Sequence, residues 1–253
     1  MPLPKQPKQP RPNEVICFTS HGREICIPAS QVQQVLKKGT RREVSAWTIL
    51  KIKDEFTKGF NFLKRFSKSV SIMGSARVGL EHRIYHEATK LAFRLAKAGL
   101  AVITGGGPGV MEAANKGAIE AGGRSVGLNI RLATEQRTNK YVKESESFSF
   151  FFTRKVMLET GASLYVFFPG GFGTLDEFFE MITLIQTHKI RPVPVILINR
   201  AFWQPLLDWI YYSMYVKEKA IDKKDMDIYY LVDTADQAYD LVKELTKDKH
   251  LFD

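Results

Sequence analysis

The stretch Leu164-Tyr-Val-Phe-Phe-Pro-Gly-Gly-Phe-Gly-Thr-Leu-Asp-Glu177 contains the unit from which the architecture of this chain follows. It begins with five consecutive apolar residues, 164–168, which predict a strand buried on both faces, as in a parallel sheet. A glycine-rich loop comes next, and the apolar periodicity of 174–188 predicts a helix. Strand, loop and helix in this order are the building unit of a doubly wound α/β sheet.

The same order of segments recurs from residue 70 onward. Apolar runs predict further strands at 70–73, 100–103, 125–130 and 193–198, with a weaker one at 228–232. Amphipathic stretches predict helices at about 84–98, 109–121, 151–161, 202–215 and 234–246. The alternation predicts an α/β, Rossmann-like fold, with a doubly wound, mostly parallel sheet and helices on both faces.

Residues 1–69 differ from the rest of the chain in charge. They hold 14 Lys/Arg and 5 Asp/Glu, a net charge of +9, of the +10 carried by all 253 residues. We predict a basic N-terminal extension with a disordered start, a short hairpin at 14–28 and a helical segment. Such an arm could contact nucleic acid, anionic lipid or an acidic protein. The absence of an interleaved binding motif favours a solvated extension instead.

The only two cysteines, Cys17 and Cys26, lie in the predicted hairpin. If His21-Gly22 forms its two-residue turn, the cysteines face each other across the strands. An oxidising compartment would then allow a disulfide, whereas a cytosolic setting favours two reduced thiols. The N-terminus lacks the apolar segment of a secretory signal, and no run approaches the roughly 18 apolar residues of a membrane span. We therefore expect a cytoplasmic protein with no membrane partner.

Three glycine-rich loops, at 73–77, 104–111 and 168–177, follow predicted strands. Ligands in such folds bind beyond the carboxyl ends of the strands. Glycines let the backbone approach a ligand closely, and a helix that begins at the loop adds the positive end of its dipole. One such loop would suit a tight turn alone, but three at one sheet edge predict a phosphate-binding site.

Neither common nucleotide-binding motif is present. Gly105 and Gly107 begin a dinucleotide fingerprint, but Val110 stands at the position of the third glycine. Arg124 begins the next strand, and no acidic residue ends it at the distance that the fingerprint requires. The chain contains no Walker A string G-x-x-x-x-G-K-[ST]. The phosphate site therefore belongs to another type.

The segment 169–177 matches PGGxGTxxE, and Arg154-Lys155 stands upstream of it. Together with Gly74-Ser75 and the loop 105–109, this resembles the LOG (LONELY GUY) family, whose members have been labelled "possible lysine decarboxylase". The resemblance covers about residues 70–215, and segment 148–155 resembles a bacterial branch. It implies a nucleotide-binding catalytic domain at 70–253, working as a homodimer without metal or cofactor.

The activity implied by the resemblance is that of a phosphoribohydrolase. Such a hydrolase cuts the N-glycosidic bond of a nucleoside 5′-monophosphate and releases the base and ribose 5-phosphate. The base is a cytokinin in plants and some microbes, and adenine or another purine is the expectation for many bacteria. The sequence leaves the preferred base open, as well as the choice between cytokinin biosynthesis and nucleotide salvage.

The resemblance assigns Arg154 and Glu177 as catalytic residues. Cleavage of an N-glycosidic bond passes through an oxocarbenium-like state, which a carboxylate stabilises, and a carboxylate can also position the attacking water. Outside the motif, Glu177 would be read as an ordinary carboxylate in the first turn of a helix. Arg154 can offer its planar fork to the substrate or to Glu177.

The other expected substrate contacts lie in the three loops and on the neighbouring helices. They are Gly74, Ser75, Gly106, Gly107, Glu135, Lys155, Gly170, Gly171, Gly173, Thr174, Glu180 and Thr183. No metal site is expected, because the histidines show no ligand spacing with acidic residues. The aromatic run at 148–152 favours core or dimer interface over a surface on which the base stacks.

Three other functions stay open. A non-enzymatic sensor would keep the glycine loops but would not need Arg154 and Glu177. A decarboxylase would need pyridoxal phosphate and a lysine Schiff base, for which Lys155 is the only lysine beside the motifs. A nucleic-acid binder acting through the basic arm would show steep salt dependence that is lost on deleting residues 1–45.

Overall fold

This computed structural model describes residues 15–20, 23–28, 45–131 and 138–247. The chain divides into two compact units, Met1–Leu50 and Lys51–Asp253. In the first, strands β1 (Val15–Ser20) and β2 (Arg23–Pro28) pair antiparallel with Cys17 opposite Cys26. The two cysteines form a disulfide, which is one of the two states that the sequence left open. The predicted domain boundary between residues 69 and 70 stays a prediction.

Within the described residues, seven parallel strands form the sheet of the second unit. They are β3 (Ser69–Met73), β4 (Ala101–Thr104), β5 (Ser125–Ile130), β6 (Glu144–Phe148), β7 (Leu164–Phe167), β8 (Val195–Ile198) and β9 (Tyr229–Val232). Their order is β6-β5-β4-β3-β7-β8-β9, so the strand order reverses between β3 and β7. This reversal is the topological switch point of a doubly wound fold, which confirms the predicted fold class.

Helices cover both faces of this sheet. They are α1 (Ala46–Leu63), α2 (Arg83–Lys97), α3 (Val110–Glu120), α4 (Phe151–Thr160), α5 (Phe172–Gln186), α6 (Arg200–Trp209) and α7 (Ala235–Lys247). One core cluster includes side chains of α2, α3 and α7, and the other includes side chains of α4, α5 and α6. No helix in the described part of the chain is both long and apolar enough to span a membrane.

Strand β6 is absent from the sequence prediction. Its residues Glu-Ser-Glu-Ser-Phe include only one apolar side chain, Phe148, which is fully buried. Among the strands that the structure describes, it lies at the edge of the sheet and pairs only with β5. An edge strand can carry polar side chains because one of its sides has no neighbouring strand, so the hydropathy pattern that marks central strands does not identify it.

The apolar side chains of α1 are only partly buried. Phe60 is 43% exposed, whereas Glu55 and Gly59 are buried together with Leu63. Gly59 brings α1 close to α4, because a Cβ at this position would lie 2.5 Å from the sulfur of Met157. The buried residues of α1 therefore follow a spacing of four, with a glycine where the two helices approach each other.

Phe178 lies at the centre of an aromatic cluster beneath α5. Its ring centroid lies 5.7, 5.2 and 5.9 Å from those of Phe167, Trp203 and Tyr229, and its side chain is fully buried. Such rings contribute through the area they bury and through tilted or edge contacts. This cluster ties α5 to the sheet and to α6.

Phe178→Ala should therefore lower the free energy of unfolding by about 3–5 kcal/mol, because it leaves a cavity among these rings. The neighbouring Phe179 is only partly buried, so Phe179→Ala should lower the free energy of unfolding clearly less. Urea unfolding followed by circular dichroism measures both. Equal losses in the two variants would contradict the central place of Phe178.

Candidate active site

The loop after β3 contacts both other glycine loops. The backbone N–H of Ser75 donates to the carbonyl of Pro169 at 3.0 Å, and the carbonyl of Ser75 accepts from the N–H of Val110 at 3.0 Å. Gly109 has φ +70°, and a Cβ on it would lie 2.3 Å from the same carbonyl. The three loops predicted to share one edge of the sheet are therefore joined through one residue.

A cavity of about 880 Å³ opens at the switch point between β3 and β7. Its volume lies within the range of small-molecule sites in proteins. Polar and glycine residues predicted for the site line it: Gly74, Ser75, Arg154, Gly170, Gly171, Gly173, Thr174 and Glu177. The cavity therefore brings together both predicted catalytic residues and most of the predicted phosphate-binding loop.

The loop between β7 and α5 presents backbone to this cavity. A Cβ on Gly171 or Gly173 would meet nothing within 4 Å, whereas one on Gly170 would lie 2.1 Å from Oγ1 of Thr174. Gly171 is the N-cap of α5 and, as a glycine, provides no side-chain cap for this helix end. The first N–H groups of α5 and its positive dipole end can therefore bind an anion in the cavity.

Arg154 reaches the cavity from α4 and is held at two points. Its Nε donates to the carbonyl of Leu128 at 2.8 Å. Its guanidinium packs on Gly105, where a Cβ would lie 2.2 Å from Nη2. The first glycine of the loop after β4 thus makes room for the arginine, and the carbonyl on β5 orients it.

Glu177 stands in α5, six residues after the N-cap. Burial raises the pKa of its carboxyl above 4.5, while the charges of Arg154 and Lys155 lower it and Asp176 raises it. Burial also lowers the pKa of Arg154, and the charge of Glu177 opposes that shift. A carboxylate and a guanidinium that share a partly dry cavity can stabilise charge that develops on a bound molecule.

Lys155, Glu180 and Thr183 are not among the residues that line the cavity in the described part of the chain. The ammonium of Lys155 pairs with Asp176, 2.6 Å away, and with Glu180. The hydroxyl of Thr183 donates to the carbonyl of Phe179 at 2.7 Å. Their predicted substrate contacts stay predictions, as does that of Glu135, which lies outside the described residues.

Gly106 and Gly107 lie in the loop after β4 and are not among the described residues that line the cavity, so their predicted substrate contacts stay predictions. Their carbonyls accept from Nδ2 of Asn139 at 3.2 and 2.9 Å. The same amide nitrogen donates to the buried Asn115, whose own Nδ2 donates to Ser125. These bonds hold the two residues that follow Gly105, the glycine on which Arg154 packs. Sequence reasoning missed Asn115 and Asn139, because no motif marks an amide that bonds to a loop.

Arg77 and Phe151 are among the cavity-lining residues that sequence reasoning missed. Arg77 is the last residue of the first glycine loop, three residues after Gly74, so a basic side chain beside a predicted phosphate site was the available signal. Phe148 is fully buried, as the expectation of a core position required, but Phe151 in the same aromatic run is 62% exposed. Hydropathy alone does not distinguish a phenylalanine in the core from one that is exposed at the cavity.

Comparison with known proteins finds similarity in the part of the chain that contains Arg154 and Glu177. A family model described as "possible lysine decarboxylase" matches residues 111–242. Similar curated proteins are the cytokinin riboside 5′-monophosphate phosphoribohydrolases LOG of Oryza sativa subsp. japonica and LOG2 of Arabidopsis thaliana. The first is 30% identical over 58% of this chain and 61% of that protein. The second is 32% identical over 55% and 63%. This chain thus spans less than two thirds of these two relatives.

Solved structures share the fold at low identity. The molybdenum cofactor carrier protein of Chlamydomonas reinhardtii has a TM-score of 0.54 and 19% identity, over 72% of this chain and 99% of that chain. The molybdenum cofactor binding protein of Rippkaea orientalis has a TM-score of 0.52 and 18% identity, over 71% and 97%. At these identities the likeness shows the fold alone.

Arg154→Gln should raise the pKa of Glu177, because it removes the largest influence that lowers this pKa. Lys155→Gln should raise it less, since Lys155 is the smaller of the two favourable charges. Titration of the Glu177 carboxyl carbon by NMR in both variants measures the shifts. An unchanged pKa in Arg154→Gln would mean that the two groups are not coupled across the cavity.

Proposed function

The chain belongs to the "possible lysine decarboxylase" family, which includes the LOG proteins, and on that premise we propose that it hydrolyses nucleoside 5′-monophosphates. The proposed reaction breaks the N-glycosidic bond and yields the free base and ribose 5-phosphate. The observation that carries this proposal is the meeting of Glu177, Arg154 and the uncapped N-terminus of α5 in one cavity.

The 5′-phosphate of the substrate is assigned to the loop before α5. Gly171 and Gly173 have open space above their backbone, and the N–H groups of the first turn provide donors for phosphate oxygens. Ser75 and Thr174 add hydroxyls at the cavity wall. With the phosphate bound there, the ribose extends toward Glu177 on the same helix.

Glu177 is assigned the role of assisting cleavage of the N-glycosidic bond. As the glycosidic bond lengthens, positive charge develops on the ribose ring, and the carboxylate stabilises it. The carboxylate can also position the water that attacks C1′. The oxygen of that water becomes the C1′ hydroxyl of ribose 5-phosphate, and the departing base takes up a proton.

Arg154 supports the same step from α4. Its guanidinium is fixed by Leu128 and Gly105, so it can donate to the substrate without first reorganising. Its charge also keeps the pKa of Glu177 lower than burial alone would set it. This charge therefore favours the ionised carboxylate that the proposed transition state needs.

The structure gives less support to decarboxylation, the activity named in the family description. That chemistry needs a lysine amine free to form a Schiff base with its cofactor. Lys155 is instead paired with two carboxylates, those of Asp176 and Glu180, and does not line the cavity. Both ion pairs would have to break first. Homodimerisation is part of the proposal and rests on the family resemblance.

Glu177→Gln should abolish hydrolysis and leave nucleotide binding largely intact, because it removes the charge but keeps the shape of the side chain. The matched control is Asp176→Asn, the same change at the adjacent carboxylate, which is exposed and does not line the cavity. We would incubate each protein with AMP, GMP, CMP, UMP and isopentenylated AMP. Chromatography then measures free base and ribose 5-phosphate.

Release of base by the wild type and the control, but not by Glu177→Gln, would support the proposal and rank the bases. No release from any nucleotide, with binding intact, would overturn the hydrolase assignment in favour of a nucleotide sensor. Equal loss of binding and turnover in Glu177→Gln would make this residue structural.

The reaction should also lose rate in acid. The carboxylate form of Glu177 is the active one, and burial raises its pKa, so protonation removes activity as pH falls through that raised value. The acidic limb of kcat/KM should therefore lie above pH 4.5, the ordinary value for a glutamate. A pH–rate profile measures it, and a limb at or below that pH would contradict the assignment.

A further inference from the structure

Glu55 is a buried carboxylate far in sequence from the residues that line the cavity. It lies on α1, before the first strand of the parallel sheet and outside the segment 111–242 that the family model matches. Its exposed fraction is 7%. A carboxylate is rarely buried to this extent unless polar groups compensate for the lost water.

The compensating groups belong to the start of α4. Oε1 of Glu55 accepts from the N–H of Ser149 at 2.8 Å. Oε2 accepts from the hydroxyl of Thr153 at 2.7 Å and from the N–H of Phe150 at 3.4 Å. Phe150 is the N-cap of α4 and offers no side-chain cap of its own. Glu55 therefore caps a helix to which it does not belong.

The two helices pack in register beyond this cap. Gly59 of α1 faces Met157 of α4, one turn after Thr153, and a Cβ on Gly161 would lie 2.9 Å from Leu63. Contacts thus recur every four residues along both helices. This packing, together with the contacts of α4 to β5, β6 and α5, holds the rotation and height of α4 and therefore the direction in which the side chains of its first turn project.

Arg154 is in that first turn, directly after Thr153. Its own N–H donates to the carbonyl of Phe150 at 3.3 Å, so its backbone belongs to the turn that Glu55 holds. The guanidinium then fits over Gly105, where a Cβ would lie 2.2 Å from Nη2. A small shift of the turn would move the arginine away from this fit.

The geometry points to Glu55 as a positioning residue for the hydrolysis proposed above: through the start of α4, it sets the place of Arg154 in the cavity. This inference rests on the proposed function. Burial raises the pKa of Glu55, but hydrogen bonds from Thr153, Ser149 and Phe150 outweigh burial and lower it overall. The carboxylate therefore keeps the charge that favours a helix N-terminus.

The test is Glu55→Gln, which keeps the shape but turns one acceptor into a donor facing other donors. We expect kcat to fall roughly tenfold to a hundredfold, since misplacing a catalytic group by about 1 Å costs on that order. KM should change by less than about twofold, because the loop that holds the phosphate precedes α5 rather than α4. Steady-state kinetics gives both values.

The matched control is Asp54→Asn, one residue earlier on α1. Asp54 is exposed and pairs with Lys58 at 2.6 Å, so the same chemical change should leave kcat and KM unaltered. A second comparison uses Arg154→Lys as background. If Glu55 acts through Arg154, adding Glu55→Gln to Arg154→Lys should cost little further rate.

A readout without turnover separates this inference from the proposed function. Arg154 lowers the pKa of Glu177, so displacing Arg154 should raise that pKa in Glu55→Gln and not in Asp54→Asn. Loss of the negative charge at residue 55 would by itself shift the pKa the other way. A rise therefore reports the position of the arginine even if the wild type hydrolyses no nucleotide.

Three results would overturn the inference. One is a folded Glu55→Gln protein with unchanged kcat, even if its thermal stability falls, since the residue would then be only a helix cap. Another is an equal loss of kcat in the wild-type and Arg154→Lys backgrounds. The third is a Glu177 pKa that does not rise in Glu55→Gln. Absence of hydrolysis in the wild type would instead refute the proposed function alone.

Discussion

The two backbone hydrogen bonds of Ser75 are the constraint on which the rest of the site depends. They join the loop after β3 to the loops after β4 and β7, at the point where the strand order reverses. The strands alone would bring these loops only to the same edge. Because the bonds are made by backbone, they set the spacing of the loops independently of any side chain, and Gly109 is required where they approach most closely.

Most of the architecture could be predicted from the sequence, because the central strands are buried on both faces. Val166 and Ile196 are fully buried, and such strands appear as continuous apolar runs. Strand β6 could not be found in this way, because its edge position allows a polar sequence. The loop glycines were likewise visible as a group, since each follows an apolar run, and that grouping located the cavity.

The direction in which individual side chains point was harder to predict from the sequence. Lys155 follows Arg154 in the motif, yet the two residues project from α4 in different directions, one to acidic residues of α5 and the other to the cavity. Adjacent helical residues differ by about 100° in direction, so which of the two reaches the site depends on the rotation of the helix. That rotation depends on packing against β5, β6, α5 and α1, and the apolar pattern did not reveal the buried polar residue of α1, Glu55.

The contact between α1 and α4 also bears on how the protein acquires its structure. Glu55 and Thr153 are separated by 98 positions, with β3, β4, β5 and β6 between them. Contacts between distant parts of a chain carry a large loop-closure entropy and form slowly unless the intervening segments have already folded. We therefore expect the start of α4 to be completed late, after this half of the sheet has assembled, and the arginine to reach its place toward the end of folding.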